Sequence, residues 1–239
     1  MELKNTLSKI LKEGTDLLTS GTTGAPKVIF QTPEKLYHAN KSAIDSQQLT
    51  KQSKIYTVCK MTHAGGLLAQ TLPGFSIDAD ITVVNFNAYE FNKEITKYTH
   101  THLTPTHGRI LALTKGFKHL NLTGIHVTCG SDPVPWEMIE SFVSKGATFT
   151  TNWGMSEVGP CAINTTFTSL DQVADYKSRG IEGATLLGDQ AYCSVDIRDN
   201  ELYVKGDISV YGNEWFATGD MVTVNDNGDT HKYFDGAKI

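Results

Sequence analysis

The sequence predicts an α/β fold: a mostly parallel sheet flanked by helices, followed by a smaller antiparallel β-rich subdomain. Two observations carry this. Strand-like and helix-like stretches alternate from Thr32 to Asn152, which is how a parallel sheet with crossover helices reads in sequence. Beyond about residue 190 the texture changes to short β runs joined by Asp-Asn and Asn-Gly pairs, the turn chemistry of antiparallel hairpins. The expected division is residues 1–188 and residues 189–239.

The elements follow in order. MELKNTLSKILKEG places Leu3, Leu7, Ile10 and Leu11 on one helical face and is too polar for a signal peptide. Thr32 followed by Pro33 is a capping residue with proline at the first helical position, and Leu36, Ala39, Ala43 and Ile44 continue that helix. KIYTVCK (54–60) and ITVVNF (81–86) read as strands. Asn87 with Glu90 resembles a capping box that opens the helix AYEFNKEITKY. GIHVTC (124–129) is a strand, WEMIESFVSKG a helix ending at Gly146, and ATFTTN (147–152) a further strand. SVDIRDNELYVKG and VTVNDNGDTHKYF then read as hairpins.

Composition bounds the function. The net charge of −5 argues against a nucleic-acid wrapper or a basic membrane-surface binder. No segment of the sequence is long and apolar enough to span a membrane. Cys59, Cys129, Cys161 and Cys193 form no CxxC pair and read as reduced, mostly buried thiols, which gives a cytoplasmic expectation. No nucleic-acid or membrane partner is expected.

The stretch TSGTTGAPK (19–27) concentrates two glycines and four hydroxyl residues before Lys27. A loop of this kind offers backbone N–H groups and hydroxyls to phosphate oxygens, with the lysine adding positive charge. A solvated Gly/Thr loop is the other reading of the stretch alone. It is not the nucleotide loop of P-loop NTPases and kinases, because Pro26 precedes the lysine and no Ser or Thr follows it.

Four further stretches follow it in order: MTHAGG (61–66), GSDPVP (130–135), NWGMSE (152–157) and WFATGD (215–220). Together they resemble the adenylate-forming superfamily of acyl- and aryl-CoA synthetases, luciferases and peptide-synthetase adenylation domains. TSGTTGAPK agrees with that family's phosphate loop at every fixed position. NWGMSE is similar to YGxTE, with Trp153 for the aromatic residue and Ser156 for the threonine. WFATGD fits WxxTGD, GSDPVP resembles the adenine loop GGAPL, and MTHAGG resembles the histidine motif of the acyl and aryl branches. The resemblance runs from Thr19 to the end of the chain and implies the core of the family's large domain.

It also implies roles. Thr19, Ser20, Gly21, Thr22, Thr23, Gly24 and Lys27 would hold the phosphates. Gly130, Ser131, Asp132, Asn152, Trp153, Gly154, Met155 and Ser156 would surround the nucleotide, with the Trp153 face stacked on adenine. Asp220 would accept hydrogen bonds from the ribose hydroxyls. Glu157 would bind Mg²⁺ beside the phosphates. His63, Gly130, Gly154 and Met155 would line the acid pocket, with Lys27, Glu157 and His63 as the catalytic set. THAGG carries no carboxylate to hold an α-ammonium, so the expected substrate is an acyl or aryl acid and not an amino acid. The implied reaction joins ATP and a carboxylic acid into an acyl-adenylate, with coenzyme A as a further acceptor.

The sequence departs from the family's pattern at both ends. Eighteen residues precede the phosphate loop, where relatives carry a long subdomain, and Ala237 follows Gly236 where the hinge arginine belongs. The mobile C-terminal domain that supplies a catalytic lysine has no counterpart in the sequence. The expectation is a minimal enzyme, slow or dependent on a separate C-terminal polypeptide, with a homodimer covering exposed apolar surface. A non-catalytic AMP- or acyl-adenylate-binding module is the alternative.

Overall fold

A computed structural model describes residues 2–18, 27–179, 186–226 and 232–238. Helix α1 (Glu2–Glu13) buries Leu7, with Leu3, Ile10 and Leu11 packed alongside, as its sequence face requires. A two-stranded antiparallel ribbon, β1 (Thr15–Leu18) and β2 (Val28–Gln31), follows. Helix α2 (Pro33–Gln47) begins where the Thr-Pro pair predicts: the Thr32 hydroxyl accepts from the Lys35 N–H at 3.2 Å.

The main sheet is seven-stranded. Its parallel part is β3 (Lys54–Thr57), β4 (Asp80–Val83), β5 (His100–Leu103), β6 (His126–Gly130) and β7 (Thr148–Met155). Between β3 and β4 run α3 (Ala64–Gly66), a π-helical turn (Leu67–Thr71) and α4 (Leu72–Ser76). Helix α5 (Ala88–Glu94) and a 3₁₀ turn (Ile95–Lys97) lead to β5. Helices α6 (Pro105–Ala112) and α7 (Lys115–Lys118) lead to β6, and α8 (Trp136–Val143) leads to β7. The strand β8 (Gly159–Phe167) returns antiparallel beside β7, and α9 (Leu170–Ser178) follows.

The remaining strands are β9 (Leu186–Gly188), β10 (Gln190–Ala191), β11 (Ser194–Arg198), β12 (Glu201–Lys205), β13 (Phe216–Asp226) and β14 (Lys232–Lys238). They make a five-stranded antiparallel sheet, except that β10 pairs with β8 of the main sheet. The chain therefore crosses between the sheets around residues 188–190. Asp199 and Asn200 both adopt positive φ, 50° and 66°, the left-handed pair that a tight hairpin requires.

Strand alternation gives the main sheet two unlike faces. Leu103, Val127, Cys129, Phe149 and Phe167 face an apolar core built with Phe91, Leu111, Ile139 and Phe142. The opposite face carries Thr57, His100, His126, Thr128 and Thr150, all buried. Gln47 at the end of α2 links this layer: its Oε1 accepts from Thr128 Oγ1 at 2.7 Å and from Gln70 Nε2 at 2.8 Å, while its Nε2 donates to the Ala69 carbonyl at 2.7 Å. A second apolar core, with Ile163, Leu202, Val204 and Val222, joins β8 to the antiparallel sheet.

One local expectation is corrected. Asn87 caps α5 by accepting from the Tyr89 and Glu90 N–H groups, but Glu90 does not complete a box, because its carboxylate accepts from Lys93 Nζ at 2.8 Å. The TGD stretch forms an irregularity inside β13. Gly219 takes φ 77°, and the register against β12 shifts between Glu201 and Tyr203. All four cysteines are free thiols. Among the described residues no helix is long and apolar enough to cross a membrane.

Candidate functional site

The C-terminal ends of β5, β6 and β7 lie together, where open α/β sheets present loops to ligands. Gly130 ends β6 and pairs with Asn152 of β7; a Cβ at Gly130 would stand within 2.5 Å of Asn152 Oδ1. Ser131 follows with φ 80°, and Asp132 is exposed beside it. The histidine stretch covers the same strand ends. His63 is exposed and precedes α3, and a Cβ at Gly65 would lie 3.0 Å from His102 Cε1 and 3.6 Å from Ser131 Oγ.

The NWGMSE stretch is the end of β7 and the turn into β8. Gly154 permits that turn, since a Cβ there would overlap the Gly159 carbonyl. Trp153 is half-buried and packs against the second core, and its indole N–H donates to Asp220 Oδ2 at 2.7 Å. Asp220 is 2% exposed. The Thr218 hydroxyl holds this bend by donating to the Leu202 carbonyl and accepting from the Asp220 N–H at 3.1 Å. Two residues expected around one nucleoside are thus brought together from different sheets, with the indole N–H engaged on the carboxylate expected at the ribose.

The phosphate-loop residues Thr19, Ser20, Gly21, Thr22, Thr23 and Gly24 lie outside the described residues. The ends of that segment are set by the β1–β2 ribbon, which pairs Leu18 with Val28, and Lys27 is exposed next to it. The ribbon connects to the site through Gln31, whose Nε2 donates to the Ser156 carbonyl at 3.0 Å. Met155 and Glu157 are half-buried in the turn, where the Val158 N–H donates to the Met155 carbonyl and the Val210 N–H to the Glu157 carbonyl.

Sequence reasoning missed three residues here. Lys35 is 4% exposed and donates to Gln31 Oε1; burial lowers its pKa to about 7, a shift that the nearby Glu157 carboxylate partly offsets. Gln31 is fully buried. His102 is buried, and that burial lowers its pKa to about 4. Nothing in the pattern QTPEK or THLTP separates these side chains from solvated ones; only their long-range neighbours do.

Among the described residues no group of three or more His, Cys, Asp or Glu side chains could hold a metal ion by itself. Glu157, half-buried in the turn between β7 and β8, is the carboxylate that the resemblance assigns to Mg²⁺, a cation held by one or two carboxylates and completed with substrate phosphates and water.

Known proteins resemble the chain in sequence and in fold. Residues 17–218 match the family described as AMP-binding enzyme. The indoleacetate–CoA ligase of Aromatoleum aromaticum is 26% identical over an alignment of 243 residues, covering 92% of this chain and 46% of the ligase. In fold the chain resembles ATP-bound MatB from Rhodopseudomonas palustris (TM-score 0.74, 16% identity, 92% of this chain and 47% of that one). It also resembles the inhibitor-bound N-terminal domain of FACL13 from Mycobacterium tuberculosis (TM-score 0.75, 20% identity, 92% of this chain and 59% of that one). The chain spans about half the length of the relatives it matches. With the ordered motifs and these strand ends in place, the chain belongs to the AMP-binding enzyme family of adenylate-forming, acyl-CoA synthetase-like ligases.

Proposed function

We propose that the chain forms the nucleotide- and acid-binding core of a ligase that activates an acyl or aryl acid as its adenylate. In that reaction a carboxylate oxygen attacks the α-phosphorus of ATP, a new C–O–P linkage forms and pyrophosphate leaves. The observation that carries the reading is the meeting of the motif stretches: Gln31 ties the phosphate-loop ribbon to Ser156, Gly130 lies against Asn152, and Trp153 reaches Asp220. Lys27 and the 19–24 segment would offset phosphate charge. Glu157 would hold Mg²⁺, which when bound neutralises charge on the leaving pyrophosphate. His63, Gly130, Gly154 and Met155 would line the acid side.

The acid is proposed to lack an α-amino group, because the 62–66 stretch offers no carboxylate. The name of the Aromatoleum relative, an indoleacetate–CoA ligase, supports an aryl acid and coenzyme A as the later acceptor. Transfer to coenzyme A, with whatever further domain it uses, is a proposal for the whole protein.

Titration calorimetry with ATP and AMP tests the nucleotide site. Asp220→Ala is expected to weaken binding by about 1–3 kcal/mol, the cost of losing a buried hydrogen-bonding partner. Trp153→Phe keeps a ring for adenine and removes only the indole N–H, so it is expected to preserve affinity. Unchanged affinity in Asp220→Ala would remove Asp220 from the nucleotide site.

A second reading rests on the Trp153–Asp220 hydrogen bond, which occupies one oxygen of the expected ribose acceptor. It favours a module that holds AMP or acyl-adenylate without forming it. Pyrophosphate release in the presence of a carboxylic acid separates the two.

A further inference from the structure

Asp220 lies in the irregular part of β13, and the irregularity has a definite size. Glu201 pairs with Met221, and Tyr203 pairs with Ala217. One residue of β12, Leu202, therefore stands opposite three of β13, Thr218, Gly219 and Asp220, so β13 carries two extra residues. An even number preserves the alternation of faces. Thr218, Asp220 and Val222 are buried, while Ala217, Gly219 and Met221 are exposed. Extra residues of this kind lose their ladder partners and re-aim a side chain. Here the re-aimed side chain is the carboxylate expected at the ribose.

The side chain of Glu201 takes the place of the lost partner. The Gly219 N–H donates to Glu201 Oε1 at 3.0 Å, and the Tyr203 hydroxyl donates to Oε2 at 3.4 Å. A backbone N–H held by a carboxylate is bound more strongly than one held by a neutral acceptor. Arg198 is the cross-strand partner of Glu201, a placement that favours an ion pair. Its guanidinium instead pairs with Asp196 at 2.8 Å and lies 4.6 Å from the centre of the Tyr203 ring. On the other side of Asp220, the Val222 N–H donates to the Asn200 carbonyl at 2.7 Å. The β11–β12 hairpin thus grips β13 on both sides of Asp220. Gly219 takes φ 77°, and a Cβ there would meet nothing within 4 Å. No packing holds this peptide in place, so its direction falls to the hydrogen bond with Glu201.

We propose that Glu201 is a positioning residue for ribose recognition: its carboxylate fixes the Gly219 peptide and, through it, the direction of the Asp220 carboxylate. The assignment rests on the reading above, in which Asp220 accepts hydrogen bonds from the ribose hydroxyls. Asp220 has two demands to meet at once. Its Oδ2 accepts from the Trp153 indole N–H at 2.7 Å, so the carboxylate must present itself to the ribose without leaving the indole. Hydrogen bonds weaken steeply with angle, and the angle available to Asp220 is set by the backbone on either side of it. Glu201 acts through Gly219 and has no need to touch the nucleotide.

The test uses the whole chain and two nucleotides, AMP and 2′,3′-dideoxy-AMP, which lacks both ribose hydroxyls. Calorimetry is expected to show the wild-type chain binding AMP at least about tenfold tighter, the effect of losing hydrogen bonds to a charged group. Glu201→Asp keeps the charge and draws the oxygen back from the Gly219 N–H. It is expected to lower the ratio of the two affinities at least about threefold, through weaker AMP binding and with the dideoxy analogue unaffected. Glu201→Gln keeps an acceptor oxygen at the same reach and is expected to retain the ratio. Thermal denaturation reports whether each variant folds, and Glu201→Ala repeats the test if Glu201→Asp does not. An unchanged ratio in Glu201→Asp, an equal loss in Glu201→Gln, or a parallel fall of both affinities would overturn the proposal. So would failure of both the Asp and the Ala variants to fold, since Glu201 would then serve stability. A wild-type chain that binds both nucleotides equally, or neither, would overturn the ribose reading itself and the proposal with it.

Discussion

Phe149 and Thr150 are neighbours on β7 and face opposite sides of one sheet. Phe149 is fully buried among Phe142, Val127 and Phe167. Thr150 is equally buried but packs in a polar layer, where its hydroxyl lies 2.7 Å from both His126 Nε2 and Thr166 Oγ1. The apolar face removes hydrocarbon from water and fixes the fold. The polar face supplies little of that driving force and is tolerated because hydrogen bonds replace lost hydration. Its reach toward the strand ends explains the placement: the layer that bears Gln47, Thr128 and His126 runs on to His102, Gly130 and Asn152. Stability rests on the apolar face, and the proposed recognition rests on the polar face of the same strands.

The comparison can be broken from the apolar side first. Phe149→Ala is expected to cost about 3–5 kcal/mol, the range for truncating a buried phenylalanine, measured by urea denaturation. A loss below about 1 kcal/mol would show that this face does not carry the fold.

Acid tests the polar side with an effect of similar size. Burial lowers the pKa values of His126 and His102 to about 4, and the neighbouring imidazole of His100 adds to the shift at His126. In the unfolded chain these imidazoles bind protons near pH 6.5, so between pH 6.5 and 4 the unfolded state takes up more protons than the folded one. Stability is therefore fully present above pH 6.5 and is lost as pH falls toward 4, by on the order of 3 kcal/mol for each histidine. Denaturation midpoints at pH 7.5, 6 and 4.5 give the profile. A flat profile would mean that the imidazoles are solvated and the layer is not closed.

Gln47→Met sharpens the comparison further, since it keeps the volume and removes the amide that Thr128, Gln70 and the Ala69 carbonyl share. The expected cost is about 1–3 kcal/mol, the penalty of leaving buried partners unpaired. A neutral substitution would show that the layer repacks around water.

The apolar face was largely legible in the sequence and the polar face was not. IHVTC, WEMIESFV and ATFTT carry their alternation openly, and Thr32-Pro33 and Asp199-Asn200 announce their local geometry with residue types that few other conformations favour. HTHL (100–103) hides its strand, because two of its four residues are histidines whose burial depends on α2 and on the segment 63–66, far away in sequence. The β1–β2 ribbon and the reversal at β8 were missed for the same reason: short, mixed strands are defined by their partners. Glu90 could not be read correctly from its spacing to Asn87, because Lys93 competes for it. At the site, the motif stretches were visible as stretches, but the contacts between them were not. Gln31 against Ser156 and Trp153 against Asp220 join residues far apart in the chain, and Lys35 reads as an ordinary helical lysine until its surroundings are known.

The central claim is that these strand ends bring a carboxylate to the α-phosphorus of ATP. Single-turnover reaction of the purified chain with MgATP labelled at the α-phosphate and an aryl acid tests it most directly. The account predicts that label appears in an acyl-AMP that hydroxylamine cleaves to AMP and the hydroxamate, with an equal amount of pyrophosphate released. Formation of ADP and inorganic phosphate, or tight nucleotide binding with no labelled acyl-AMP for any acid in a broad panel, would contradict it.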